Sequence, residues 1–258
     1  MCGIVGYTGN KPAQEIVIDS LKKLEYRGYD SSGIALHEGK LVFSKKEGPI
    51  ANLEKVIGTS DSKMAIAHTR WATHGVPSDV NSHPHLSNDG KIAVVHNGTI
   101  DNYLDIKASL EKEGFDFLSE SDTEVIPNLL SKYYNGDLVK AMSKILSEIE
   151  GIYTIAAIHV DNPEQIVSVR QETPLVIGLG NGENYVASDI YAILKYTQQI
   201  IYPDDHQIVS VSPNEINVYG EDLSKIDYEV ETVEKYTEVA EKGGFEHFML
   251  KEIYEQPK

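Results

Sequence analysis

The sequence predicts an α+β layered domain, and three observations carry that prediction. Apolar, strand-like segments dominate as far as His96, helical spacing takes over in the middle, and strands return between Ile152 and Tyr219. Strands and helices do not alternate regularly, so a doubly wound parallel sheet is not expected. Composition fits a packed domain: 41% hydrophobic and 24% charged residues in a chain of 258 can bury a substantial core.

Residues 2–7 form a short β-rich segment. A helix is expected from Pro12, because Ile16, Val17, Leu21 and Leu24 recur on one helical face and proline suits a first turn. Strands are expected at 32–37, 41–44, 63–69 and 91–96, with Gly39, Gly48 and Asn88-Asp89-Gly90 as breaks. A helix should start near Asp101 and stop at Gly114. A second begins at Ser121-Asp122-Thr123-Glu124, which has the spacing of a capping box, and a third covers 138–149. The closing strands are expected at 152–160, 165–170, 175–179, 184–187, 208–211 and 215–218, with Asn181-Gly182 as a hairpin turn. The tail is different in kind. Residues 222–242 are polar and acidic, and Gly243-Gly244 then precedes Phe245, Phe248, Met249 and Ile253 at helical spacing. That run is either a C-terminal helix on its own domain or a linker into a further one.

Charge and cysteine content exclude several functions. A net charge of −17 argues against nucleic acid or an anionic membrane as partner, since both need a basic surface. The longest apolar stretch, at 151–160, is too short to span a bilayer and contains His159. The start, Met1-Cys2-Gly3, has neither the charged nor the apolar region of a signal peptide, and the single cysteine fits a reducing compartment. A cytoplasmic protein is expected.

That cysteine is the foremost catalytic candidate. If Met1 is removed, Cys2 carries both a thiol and a free α-amine, whose ordinary pKa of about 7.7–8.0 suits it to act as a base near neutrality. The alternative is a small buried apolar side chain. Asn97-Gly98, after an apolar strand, can aim a side-chain amide and a backbone N–H at one oxygen, as an oxyanion hole requires; an ordinary turn is the competing reading. Arg70-Trp71 ends another strand, where an arginine can clamp a carboxylate or form a surface ion pair. Asp122 can serve a ligand or the helix start. His68, His74, His83, His85 and His96 could supply a metallohydrolase, yet their spacing matches no compact zinc pattern and HExxH is absent. The glycines of 178–182 lead toward a strand, so no helix N-terminus is available there for a phosphate.

Five segments, Cys2-Gly3-Ile4-Val5-Gly6, Leu24-Glu25-Tyr26-Arg27-Gly28-Tyr29-Asp30-Ser31, His68-Thr69-Arg70-Trp71-Ala72-Thr73-His74-Gly75, Val95-His96-Asn97-Gly98 and Ser119-Glu120-Ser121-Asp122-Thr123-Glu124, together resemble the glutaminase domain of the glucosamine-6-phosphate synthase family. These are glutamine:fructose-6-phosphate amidotransferases of the N-terminal-nucleophile, class II group. The resemblance runs to Lys251-Glu252-Ile253-Tyr254-Glu255-Gln256-Pro257. It departs at Thr99, where the family pattern leads one to expect an aliphatic residue.

The resemblance implies a four-layer αββα sandwich of the N-terminal-nucleophile hydrolase type, with a glutaminase domain over 2–240 and a linker to an isomerase domain over 241–258. It implies Cys2 as nucleophile and Asn97 and Gly98 as oxyanion donors. Arg70 and Asp122 would hold the α-carboxylate and α-ammonium of L-glutamine, with Thr73, His74 and Gly75 lining the substrate loop. Trp71 would gate an ammonia channel, and Arg27 would order the nucleophile end. No cofactor and no metal are implied, and the full-length enzyme is expected to be a homodimer that aminates fructose 6-phosphate. The alternatives are the glutaminase domain of another class II amidotransferase and a non-catalytic glutamine-sensing module.

Overall fold

The computed structural model describes residues 2–233 and Tyr254. The amphipathic tail and the expected linker over 241–258 therefore lie outside the described residues, Tyr254 excepted. The chain opens β1 Gly3–Thr8, α1 Ala13–Lys22, β2 Ser31–His37, β3 Leu41–Glu47, α2 Ile50–Glu54, β4 Met64–Arg70, β5 His85–Leu86, β6 Ile92–Ile100. The helical middle is α3 Tyr103–Lys112, α4 Val125–Tyr133 and α5 Leu138–Leu146. Then come β7 Gly151–His159, β8 Ile166–Gln171, β9 Val176–Leu179, β10 Asn184–Ala187 and β11 Gln199–Ile201. β12 Ile208–Val211, β13 Ile216–Tyr219, β14 Lys225–Ile226 and β15 Glu231–Thr232 close the described chain.

The strands form two antiparallel sheets. The first has eight strands in the order β15-β11-β9-β10-β1-β4-β2-β3, and the second seven in the order β14-β13-β12-β8-β7-β6-β5. Three apolar clusters separate four layers. One lies between α1–α2 and the first sheet, around Val5, Val17, Leu21 and Ala67. The second lies between the two sheets, around Ile4, Ile66, Val95 and Ile158. The third lies between the second sheet and α3–α5, around Val94, Leu110, Leu129 and Met142. This is the expected αββα sandwich. Both faces of each sheet are covered, so β1 and β4 are buried along their whole length and their sequences read as apolar runs without alternation.

Strand periodicity decides which side chains enter the central layer. In β4, Met64 and Ile66 face the other sheet while Ala65 and Ala67 face the helices, so the period of two also turns His68 and Arg70 inward. In β1, Ile4 faces inward, which sets Cys2 on the same side. In β6, Ala93 and Val95 face inward, and so does Asn97.

Three expectations change. Asn97-Gly98 does not end its strand: β6 continues to Ile100, paired with β7. His96, the last residue of the strand expected at 91–96, likewise lies inside β6. The Ser121 hydroxyl does accept from the Thr123 N–H at 3.3 Å, but the turn it starts, Asp122–Glu124, is a 3-10 turn leading into α4. Glu124 does not close a capping box on Ser121. Its carboxylate reaches further back, to the Leu118 and Ser119 N–H groups at 2.9 and 2.7 Å.

Candidate active site

Cys2 stands at the head of β1, in the middle of the first sheet between β10 and β4. Gly3 pairs with Thr69 in β4, which brings the end of β4 alongside the thiol. The Trp71 N–H donates to Cys2 Sγ at 3.2 Å. Burial pushes the thiol pKa above its ordinary 9.0, against the pull of that N–H and of Arg70. Around this point the backbone is held tightly. The Ile4 N–H donates to the Ser188 hydroxyl, and the Ser188 N–H to the Ile4 carbonyl, both at 3.0 Å. Arg27 donates to the Ser188 carbonyl at 3.2 Å and forms a largely buried ion pair with Asp189.

Asn97 arrives from the opposite sheet. Its Nδ2 donates to the Cys2 carbonyl at 3.2 Å, and its Oδ1 lies 3.0 Å from His68 Nε2. Gly98 has φ +115°, and a Cβ there would sit 1.9 Å from the Ile152 carbonyl oxygen. Only glycine fits this close approach to β7, which explains the Asn-Gly pair within a strand. The unexpected Thr99 spends its hydroxyl on Asp101, at 3.1 Å.

Arg70 is no surface ion-pair residue, being only 3% exposed. One terminal nitrogen donates to the carbonyls of His74 and Gly75, folding the 71–75 loop over the guanidinium. The other, Nη1, is buried with no hydrogen-bond partner among the described residues. Asp122, 4% exposed, accepts from the Ile100 N–H at 2.9 Å through one oxygen. The other lies 3.9 Å from His74 Nδ1. Asp122 thus ties α4's entry to the end of β6 rather than only capping a helix. Gly75 has φ +75° and packs so closely that a Cβ would meet Asn81 Nδ2 at 2.6 Å. Asn81 in turn bonds Glu120, so the loop is anchored beside Asp122. Thr73 and Trp71 are exposed on this loop, and Trp71 packs edge-on to Tyr29 with ring centroids 6.0 Å apart.

The structure thus gathers Cys2, Arg70, Trp71 and Asn97 in direct contact or at adjacent positions, with His74, Gly75 and Asp122 on the surrounding loop and turn. Arg27 does not reach Cys2 itself but donates to the carbonyl of Ser188, whose hydroxyl and N–H bond Ile4 of β1. Two supporting residues were not among the site candidates in the sequence. Asp30 accepts from the Ala72 N–H at 2.9 Å and donates its own N–H to the Arg70 carbonyl at 3.0 Å, shaping the turn after β4. Ser188 is the other.

The histidines form a stack instead of a chelating set. His68 and His83 rings lie 4.1 Å apart, and His83 meets His85 edge-on at 5.0 Å. Among the described residues no group of three or more His, Cys, Asp or Glu side chains is arranged to hold a metal ion. Burial lowers the pKa of His68 to about 3 and depresses those of His83, His85 and His96 as well. In the unfolded chain each would titrate near 6.5, so below that pH the unfolded state binds more protons and stability falls with falling pH. Each group that stays neutral in the fold contributes up to about 1.4 kcal/mol per pH unit to that slope. Thermal melts between pH 7 and pH 4 should show a steep drop in Tm beginning near pH 6.5. A flat profile would mean these imidazoles are charged or exposed.

A family described as glutamine amidotransferase domain matches residues 68–195, which include Arg70, Asn97, Gly98 and Asp122. Relatives extend the match to Cys2 and Arg27. Glutamine–fructose-6-phosphate aminotransferase [isomerizing] of Caldanaerobacter subterraneus subsp. tengcongensis is 52% identical over 100% of this chain and 43% of its own length. The chain belongs to the glutamine amidotransferase family. The enzyme of the same name from Aquifex aeolicus is 51% identical over 100% of this chain and 44% of its own length. This amidotransferase chain therefore spans less than half the length of these relatives. Among solved structures, glutamine phosphoribosylpyrophosphate amidotransferase from B. subtilis, complexed with ADP and GMP, superposes with a TM-score of 0.74 at 25% identity. The superposition covers 87% of this chain and 50% of that one, and places the amidotransferase sandwich in the N-terminal-nucleophile class. No helix among the described residues is long and apolar enough to cross a membrane.

Proposed function

We propose that this chain, once freed of Met1, hydrolyses the side-chain amide of free L-glutamine through a γ-glutamyl thioester on Cys2. The observation that carries this reading is the meeting of two sheets at one point. Cys2 comes from the head of β1, and Asn97 from β6 places its amide nitrogen 3.2 Å from the Cys2 carbonyl.

The α-amine of Cys2 takes the thiol proton, directly or through a water, and Sγ attacks the amide carbon. Asn97 Nδ2 and the Gly98 N–H hold the tetrahedral oxyanion, each donor contributing about 3 kcal/mol to the barrier reduction. The proton then passes from the α-ammonium to the departing nitrogen, the C–N bond breaks, and ammonia leaves. Water attacks the thioester, releasing glutamate and restoring the thiol. Arg70 grips the substrate α-carboxylate, and its Nη1, which has no hydrogen-bond partner among the described residues, is the donor this requires. Asp122 takes the α-ammonium. Thr73, His74 and Gly75 line the loop above, and Arg27 steadies the β1 end through Ser188. Two ionic ends select the free amino acid over a glutamine within a peptide.

The relatives' name extends the proposal to the whole protein. Ammonia formed here passes Trp71, as a gate, to a second domain that converts fructose 6-phosphate to glucosamine 6-phosphate. Residues 2–240 are then the glutaminase domain and 241–258 the connection onward, in a cytoplasmic homodimer. The test is glutamate release from glutamine by Met1-free chain and by its C2A variant. Turnover by C2A, or calorimetric glutamine binding without any glutamate formed by the trimmed chain, would contradict the proposal.

A further inference from the structure

Asn97 can serve an oxyanion only if its amide is turned one way round. Its nitrogen faces the Cys2 carbonyl, which can only accept, at 3.2 Å. A primary amide nitrogen has two hydrogens; one is given to that carbonyl and the second remains for the substrate oxygen. Turned over, the side chain would set oxygen against oxygen and remove the donor. The far end decides the matter, where Oδ1 lies 3.0 Å from His68 Nε2.

We propose that His68 is a positioning residue for this reaction: its Nε2–H, donated to Asn97 Oδ1, holds the amide in the orientation that aims Nδ2 at the oxyanion. The proposal rests on the role given to Asn97 above.

Three features support it. His68 is fully buried, inward-facing on β4, and its ring is held by stacking on His83 with an interplanar angle of 23°. His83 is itself fixed. Its Nδ1 accepts from the His96 N–H at 3.3 Å, so its proton sits on Nε2 and is donated to the Thr123 hydroxyl at 3.1 Å. That hydroxyl donates onward to His96 Nδ1 at 2.9 Å, which ties the stack to the turn carrying Asp122. Second, desolvation and the neighbouring Arg70 keep His68 neutral, so its ring carries a single proton, and the acceptor Asn97 Oδ1 at 3.0 Å places that proton on Nε2. Third, His68 Nδ1 is buried without a well-formed hydrogen bond among the described residues, the His96 backbone acting on the ring only as a weak electrostatic contact. A leucine of similar size would avoid that cost, so packing alone does not account for an imidazole here. One hydrogen bond, to Asn97, does.

The test compares three variants of the Met1-free chain: H68L, which keeps the bulk and drops the donor; H68Q, whose amide N–H reaches the same place; and N97A. H68L should lose about 10- to 100-fold in kcat, the scale of a misplaced catalytic group. KM should stay within about two-fold, because the contacts that bind the substrate ends are untouched. H68Q should recover most of the rate. Alkylation of Cys2 by iodoacetamide, which forms no oxyanion, should proceed equally fast in wild type, H68L and H68Q. Wild-type kcat in H68L overturns the proposal. So does a joint fall of kcat, alkylation rate and apparent glutamine affinity that H68Q fails to relieve, since that marks mere structural support. N97A separates this proposal from the one beneath it. Normal turnover by N97A refutes the role of Asn97 itself, whereas an impaired N97A beside an unimpaired H68L refutes only the role of His68.

Discussion

Protein that retains Met1 should release glutamate from glutamine at least about 10⁴-fold more slowly than trimmed protein, the scale of losing a covalent nucleophile outright. Burial raises the Cys2 thiol pKa, so at neutral pH the sulfur is overwhelmingly protonated and depends on a nearby base. In trimmed protein the proposed base is the α-amine of the same residue, with an ordinary pKa of about 7.7–8.0. In untrimmed protein the same nitrogen belongs to a peptide bond and accepts no proton. Every other group, from Arg70 to Asp122, would be in place and of no use. Preparations of differing trimming, quantified by intact mass and assayed for glutamate, should show a rate proportional to the trimmed fraction. A rate independent of that fraction would rule out the α-amine as base.

Replacing Asn97 by alanine should lower kcat about 10²- to 10³-fold, as expected for loss of one oxyanion donor. KM should change little, because in the proposed binding mode Arg70 and Asp122 grip the far end of the substrate. The variant also leaves His68 Nε2 buried without an acceptor, at a cost of about 1–3 kcal/mol, so Tm should fall as well. Steady-state kinetics and a thermal melt on one preparation separate the two effects. A kcat loss without a KM change shows that the protein assayed was still folded around its substrate.

Much of the layout was legible in the sequence, because strand and helix periods are local. The helix after Pro12, the hairpin at Asn181-Gly182 and the long run over 152–160 all fall close to where the structure has them. What stayed hidden depends on partners distant in sequence. Gly98 reads as a turn until Ile152, on β7, is seen to occupy the space of its missing side chain. The histidines match no zinc spacing in sequence, but nothing local shows that His68 of β4 stacks on His83 of the loop before β5. β11, Gln199–Ile201, and α2, Ile50–Glu54, are too short to display a period and exist because neighbouring elements pair with or pack on them. Of the site, Cys2 stood out by position, and Arg70, Asn97 and Asp122 only as ambiguous singles. Their convergence follows from the register of β1 against β4 and from the inward parity of β6. Neither is written in any one segment.

All of the proposed chemistry depends on the trimmed Cys2 acting as the nucleophile. The most direct test labels the protein with 6-diazo-5-oxo-norleucine, a glutamine analogue that alkylates an attacking thiolate, and maps the label by peptide mass spectrometry while following activity. One label per chain, on Cys2 alone, only in protein lacking Met1 and in step with loss of glutamate release, is the predicted result. Equal labelling of Met1-bearing protein, or full activity after Cys2 is modified, would contradict it.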